Sequence, residues 1–279
     1  MIVLKYKIIA VDMDGTLLND NKHINDDNLD MINKAISNGT KFVIASGRIP
    51  AGLKFYEDTV AKEQPMICCN GAIILDHNKN VIYSKAIEKI QLLKIVDILK
   101  ENNNVYFHFY DENSIYSEQF KFSMEGIESF NKKINEKFRL EVKLISDAKQ
   151  VIENAKFDIN KIVVIDDDID YLDKLRKRID DIEGIETTKS DINNIEILSA
   201  GVSKGNALKI LASNYRISIE ECIAVGNDEN DISMIKCAGL GVAVKNARDF
   251  IKDYANYVTK KDNNDGAVSE VIQKFILNM

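Results

Sequence analysis

Two aspartates one residue apart, Asp12 and Asp14, stand at the end of the apolar run Ile8–Val11 and are followed by Gly15 and Thr16. An extended chain points residues i and i+2 the same way, so both carboxylates can face one spot beyond the run. Two close carboxylates repel, and keeping both ionised calls for a cation between them. A hard cation with oxygen ligands, such as Mg²⁺, fits. Gly15 lets the chain turn, and Thr16 offers a hydroxyl and an N–H. The same pair could instead cap a helix or shape a turn. A calcium loop also begins Asp-x-Asp, but it needs Asp or Asn at 16, Gly at 17 and Glu at 23; Thr16, Leu17 and His23 exclude it.

Three further stretches repeat this arrangement of polar groups behind an apolar run. Thr40–Ala45 ends in Ser46-Gly47-Arg48, where a hydroxyl and a glycine N–H can donate to a phosphate. Pro65–Cys69 ends in Asn70-Gly71, which also reads as a plain turn. Cys222–Val225 ends in Gly226-Asn-Asp-Glu-Asn-Asp231. Between the last two, Ser203 reads as a helix N-cap with Lys204 in the first turn. A cation there opposes the helix dipole, a conflict that a bound phosphate relieves. Lys161–Asp168 mimics the pattern, but it lacks Gly-Thr, and its aspartates read as caps of the helix Asp168–Ile179.

The elements that must hold these groups are legible from periodicity. Leu29, Ile32 and Ile36 mark a helix over 25–38 with Gly39 as its stop, and Ala72–Leu75 and Val81–Ser84 flank a turn to make a hairpin. From about Lys85 the pattern becomes α+β: a helix over 87–102, strands at 105–110, 114–117 and 161–165, and a mixed, mainly helical 118–137. Tyr106, His108 and Tyr110 share one strand face, read first as a wetted face and second as contacts to a substrate. Asn194–Leu198 resumes core-like strand character. The division is therefore 1–84 with 190–279 as a discontinuous core, and 85–189 as an insert.

The chain has 279 residues, enough for two domains, with 45% hydrophobic and 29% charged residues as in ordinary globular proteins. A net charge of −7 argues against a general nucleic-acid or anionic-membrane surface, though local cations and a metal can still receive a phosphorylated small molecule. No apolar run reaches membrane-spanning length, and the first residues lack a signal-peptide pattern. The four cysteines show no zinc spacing and fit reduced thiols in a cytoplasmic protein. Monomer and homodimer both fit.

The motifs together resemble the haloacid dehalogenase (HAD) superfamily, in its Cof-type (subclass IIB, C2-capped) branch. The resemblance rests on Asp12-Met-Asp-Gly-Thr16, Ser46, Lys204 and Gly226-Asn-Asp-Glu-Asn-Asp231, with Cys69-Asn-Gly-Ala-Ile-Ile74, Asn246-Ala247 and Asp265-Gly266 as branch features. It implies a doubly wound α/β Rossmann-like core with an inserted α+β cap. It further implies Asp12 as nucleophile and Asp14 as acid and base. Ser46, Gly47, Lys204 and Asn230 would hold the phosphoryl oxygens. Mg²⁺ would be bound by Asp12, the Asp14 carbonyl and an acid of the last motif, with Arg48, Asn70 and Gly71 bearing on specificity. One departure stands out: the motif's first Asp falls on Asn227, leaving Asn227, Asp228 or Asp231 to complete the metal site. The activity implied is hydrolysis of small phosphorylated metabolites, sugar phosphates or phosphorylated cofactors. The alternatives are a phosphosugar mutase and a non-catalytic phosphometabolite-binding protein.

Overall fold

The computed structural model describes residues 5–60, 62–102, 104–111 and 113–279 and divides the chain into two units: Met1–Gly47, Tyr56–Tyr83 and Ser203–Met279; and Arg48–Phe55 with Ser84–Val202. In chain order the strands are β1 Ile8–Val11, β2 Lys41–Ala45, β3 Met66–Cys68, β4 Ile73–Leu75, β5 Val81–Ser84, β6 Tyr106–Tyr110 and β7 Ser114–Ser117. They continue with β8 Glu141–Leu144, β9 Ile162–Ile165, β10 Ile185–Thr188, β11 Asn194–Ser199, β12 Cys222–Gly226, β13 Leu240–Ala243 and β14 Tyr257–Val258.

The first unit is built on one sheet in the order β14-β13-β12-β1-β2-β3-β4-β5, parallel from β14 to β3, with β4 antiparallel to β3. All four residues of β1 are buried, which is why it reads as an unbroken apolar run: a parallel strand needs apolar side chains on both faces. The first helix, Asp26–Ser37, is capped by Asn25, whose side chain accepts from the Asp27 N–H. Behind the sheet, the helix Lys204–Asn214 packs Ala207, Leu208 and Leu211 against Ile8, Ala10, Val43, Ile67 and Ala224. Each such fully buried Leu or Ile contributes about 1.5–3 kcal/mol over exposure. Because β12, β1, β2 and β3 are parallel neighbours, Asn227, Asp12, Ser46 and Asn70 all follow carboxyl ends at one edge. Open α/β sheets bind their ligands at such edges.

The second unit has the sheet order β10-β11-β9-β6-β7-β8, antiparallel except for β7 and β8. The helices Lys89–Leu99, Ala148–Asn154 and Ile169–Asp180 lay Leu92, Ile95, Ile152, Leu172 and Leu175 on Phe107, Phe109, Ile162, Val164, Ile195 and Ile197. Asp168 caps the last of them, accepting from the Tyr171 N–H. Two expectations change here. The run at 194–198 belongs to this sheet, not to the core: β11 hydrogen-bonds β9 and β10, and the unit extends to Val202 rather than 189. An apolar run records burial but not which sheet does the burying. The Tyr106, His108, Tyr110 face is also largely buried, with only Tyr110 partly exposed. Tyr106 and His108 are each 1% exposed, and His108 Nε2 lies 2.8 Å from the Tyr110 hydroxyl. Near it, Lys161 and Glu196 form a buried pair at 2.9 Å. Alternating polarity cannot distinguish water from a buried polar network. The strands β8 and β10 and the helix Ala148–Asn154 had no clear periodic signal, and the helix expected over 118–137 contracts to Ser123–Asn131.

Candidate active site

The centre of the first unit's sheet edge is a buried triad of charges. Lys204, the first residue of its helix behind the Ser203 N-cap, is fully buried. Its Nζ lies 2.6 Å from Asp12 Oδ1 and 2.7 Å from Asp231 Oδ1. The conflict between the lysine and the helix dipole is thus answered inside the protein, by two carboxylates. Burial weakens the ammonium, but Asp12 and Asp231 outweigh it and hold the Lys204 pKa above the ordinary lysine value. Burial and then the Asp231 charge push the Asp12 carboxyl up to about 7, against the pull of Lys204. Among the described residues, no three His, Cys, Asp or Glu side chains gather as a metal cluster, so any cation here must also use backbone or amide oxygens.

Such oxygens converge beside Asp12. The chain leaves extended geometry after Asp12, where the Leu17 N–H bonds back to the Asp12 and Met13 carbonyls. It is therefore the Asp14 carbonyl, not its carboxylate, that turns to the Asn227 side chain. With its nitrogen toward this corner, the Asn227 amide stands 3.1 Å from Asp12 Oδ2, 3.1 Å from the Asp14 carbonyl and 2.9 Å from Thr16 Oγ1, and its two N–H groups donate to the first two; with its oxygen toward the corner it accepts from the Thr16 hydroxyl at 2.9 Å. Turned over, the same amide presents an oxygen beside Asp12 Oδ2 and the Asp14 carbonyl. Three oxygens on one side of a hard cation leave positions for water and phosphate oxygens, so the residues present fit Mg²⁺, with one formal charge fewer than an Asp at 227 would supply. The Asp14 carboxylate is part-exposed, 2.8 Å from Lys22 Nζ.

The other acids of the last motif have different work. Asp231 Oδ2 accepts the N–H groups of Asn227 and Asp228 at 2.8 and 3.1 Å, while its Oδ1 faces Lys204. It clamps the loop, with both of its oxygens held by these partners. Asp228, also buried, accepts from the Glu229 N–H and pairs with Arg248 at 3.1 Å. Backbone N–H groups, which no sequence pattern displays, decide both outcomes.

On the other side of Asp12, Ser46 is buried at the end of β2, followed by half-buried Gly47. The Asn70 N–H bonds the Ser46 carbonyl at 3.0 Å, and Asn230 Nδ2 donates to Asn70 Oδ1 at 3.2 Å. Asn70 and Gly71 are more than a plain turn. Asn70 sits at φ 55° and Gly71 at φ 103°, where a Cβ would meet the Ser203 carbonyl at 2.4 Å. Arg48 falls in the second unit.

Two residues that the chemistry-first reading missed brace the turn after Asp14. Asn246 Nδ2 donates to the Gly15 carbonyl at 2.8 Å, and Asn246 Oδ1 accepts from the Asn263 N–H at 3.1 Å. Asn263 Nδ2 in turn donates to the Leu18 carbonyl and to Asp20 Oδ1, both at 3.0 Å. Lone asparagines in loops carry no periodic signal; only the resemblance touched Asn246.

Fold and site together define an α/β enzyme with a lysine-bridged aspartate at the carboxyl edge of a parallel sheet. The chain belongs to the haloacid dehalogenase-like hydrolases, whose family model matches residues 9–272. It is 31% identical over 273 residues to 5-amino-6-(5-phospho-D-ribitylamino)uracil phosphatase YcsE of Bacillus subtilis, covering 97% of this chain and 96% of that one. It is 28% identical to pyridoxal phosphate phosphatase YbhA of Escherichia coli, covering 97% and 99%. Among solved structures, a haloacid dehalogenase-like hydrolase from B. subtilis superposes with a TM-score of 0.86 at 27% identity, covering 97% of this chain and 100% of that one. These relatives place the chain among the phosphatases of the family, as a phosphoric monoester hydrolase. Among the described residues, no helix is long and apolar enough to cross a membrane.

Proposed function

We propose that this protein is a Mg²⁺-assisted phosphatase of small phosphorylated metabolites that works through a phosphorylated Asp12. The observation that carries the reading is the buried Lys204 bridging Asp12 and Asp231, set beside the corner of Asp12, the Asp14 carbonyl and Asn227. Asp12 Oδ2, the Asp14 carbonyl and the Asn227 amide oxygen would hold the metal. When bound, it supplies positive charge against the phosphate oxygens, which otherwise repel an incoming carboxylate.

Lys204 keeps Asp12 oriented and favours its ionised form. Asp12 attacks phosphorus as the bond to the leaving alcohol breaks, giving an aspartyl-phosphate. The Asp14 carboxyl gives its proton to the departing oxygen, which requires it to leave Lys22. It then takes a proton from the water that attacks phosphorus, releasing inorganic phosphate and restoring Asp12. Ser46, Gly47 and Asn230 receive the phosphoryl oxygens, and Asn70 and Gly71 bear on which substrate is accepted. Sugar phosphates and phosphorylated cofactors are the substrate class, in keeping with the ribitylamino-uracil and pyridoxal phosphate phosphatases among the relatives.

The test is phosphate release from a panel of such metabolites, with Mg²⁺ and with chelator. Asp12→Asn should lower release by more than about a thousandfold with a near-native melting curve. Activity retained in that variant sinks the nucleophile assignment.

A further inference from the structure

We propose that the Asn227 amide is a two-position gate for the cation: nitrogen inward, it closes the corner without metal; oxygen inward, it becomes a ligand. This rests on the phosphatase reading above and concerns how the site is loaded. The geometry allows only this exchange. One end of the amide is surrounded by three oxygens, Asp12 Oδ2 at 3.1 Å, the Asp14 carbonyl at 3.1 Å and Thr16 Oγ1 at 2.9 Å. The Asp14 carbonyl and an ionised Asp12 cannot donate, so with Asp12 ionised the corner needs an N–H₂ group or a cation.

The loop cannot retreat. The Asn227 N–H is bound to Asp231 Oδ2 at 2.8 Å, and a Cβ on Gly15 would lie 2.7 Å from the Asn227 amide. A half-turn of the amide about its last bond is therefore sufficient, with no backbone movement. An aspartate at 227 would behave differently, because its oxygens would face Asp12 Oδ2 and the Asp14 carbonyl with nothing to donate. That corner holds together only around a cation. With Asn227, the corner is complete either way, and the metal must displace the two amide hydrogen bonds to Asp12 Oδ2 and the Asp14 carbonyl while gaining one charge fewer.

The metal is accordingly a freely exchanging activator of this protein, and its concentration sets the active fraction. The other oxygen of Asp12 is already neutralised by Lys204 at 2.6 Å, which weakens the pull on a cation further.

Isothermal titration with Mg²⁺ alone, and melting curves in chelator and in Mg²⁺, test this on the full chain and on Asn227→Asp and Asn227→Ala. Asn227→Asp should bind Mg²⁺ at least about tenfold more tightly than wild type, yet melt lower than wild type in chelator and gain more from Mg²⁺. Asn227→Ala, lacking both donor and ligand, should also melt lower in chelator but bind Mg²⁺ no better than wild type. If Asn227→Asp melts with wild type in chelator, or binds Mg²⁺ no more tightly, the gate is refuted. Should Asn227→Asp not fold, Asn227→Ala decides alone: unchanged melting in chelator refutes the gate. Failure of the phosphatase reading shows separately, as no p-nitrophenol release from p-nitrophenyl phosphate by wild type in saturating Mg²⁺.

Discussion

Lys204 is a full positive charge with no exposed surface, tolerable only because two carboxylates meet it within hydrogen-bond distance. Removing it leaves Asp12 and Asp231 buried against each other. Lys204→Met should therefore cost about 3–5 kcal/mol in urea unfolding at neutral pH and abolish phosphate release. A loss under about 1 kcal/mol would mean that the triad is not as buried as described. At this scale the sequence displayed the actors but not their partners. Asp12 and Lys204 were recognisable by type and by position after a strand and before a helix. The duties of Asn227, Asp228 and Asp231 were not, because five consecutive polar residues offer many registers. Main-chain N–H groups choose among them, and these look alike at every position.

The elements were more legible than the joints between them. Apolar runs marked β1, β2, β3 and β12, and the order of helices and strands set them parallel. Asn70-Gly71 could equally be a passive turn on sequence alone, since close backbone approach has no sequence signature beyond glycine itself. In the structure, Gly71 presses against the Ser203 carbonyl, so the β3 loop fixes where the Lys204 helix begins. Gly71→Ala would need φ near 103° and a contact at 2.4 Å to an immobile backbone atom. It should destabilise by about 1–3 kcal/mol and lower turnover more than substrate affinity, read as kcat against KM. The Asn246–Asn263 brace holds the turn after Asp14 in the same way, from a part of the chain more than two hundred residues away.

Over the whole molecule, the two-unit division was legible from the change of pattern near residue 85. Its far limit was misplaced because β11 is as apolar as a core strand. The second unit also buries titratable groups that the active-site chemistry does not use. Burial, and then the Lys161 charge, hold the His108 imidazole well below its usual pKa, among Tyr106, Tyr110 and the Lys161–Glu196 pair. The unfolded chain takes a proton near pH 6.5, whereas the folded His108 resists it. Its contribution is intact above that pH and is lost as pH falls, by about 1.4 kcal/mol per unit. His108→Gln should shrink the stability difference between pH 7.5 and 5 in urea melts. An unchanged difference would show that the imidazole protonates freely in the native state.

The position of β1 in the middle of its sheet has a further consequence, for the order in which the protein comes into being. Asp12 is made almost at once, but β1 is flanked by β2 on one side and by β12 on the other, and β12 begins only at Cys222. At about 5–20 residues per second, roughly ten to forty seconds of synthesis separate the two. Lys204, Asn227 and Asp231 also emerge late. A nascent chain therefore carries Asp12 on a half-paired strand, with neither Lys204 nor Asn227 beside it, while most of the second unit is already complete. Activity cannot precede completion of the fold; a partly made chain is chemically silent, and its unpaired strand is what a chaperone would have to shield.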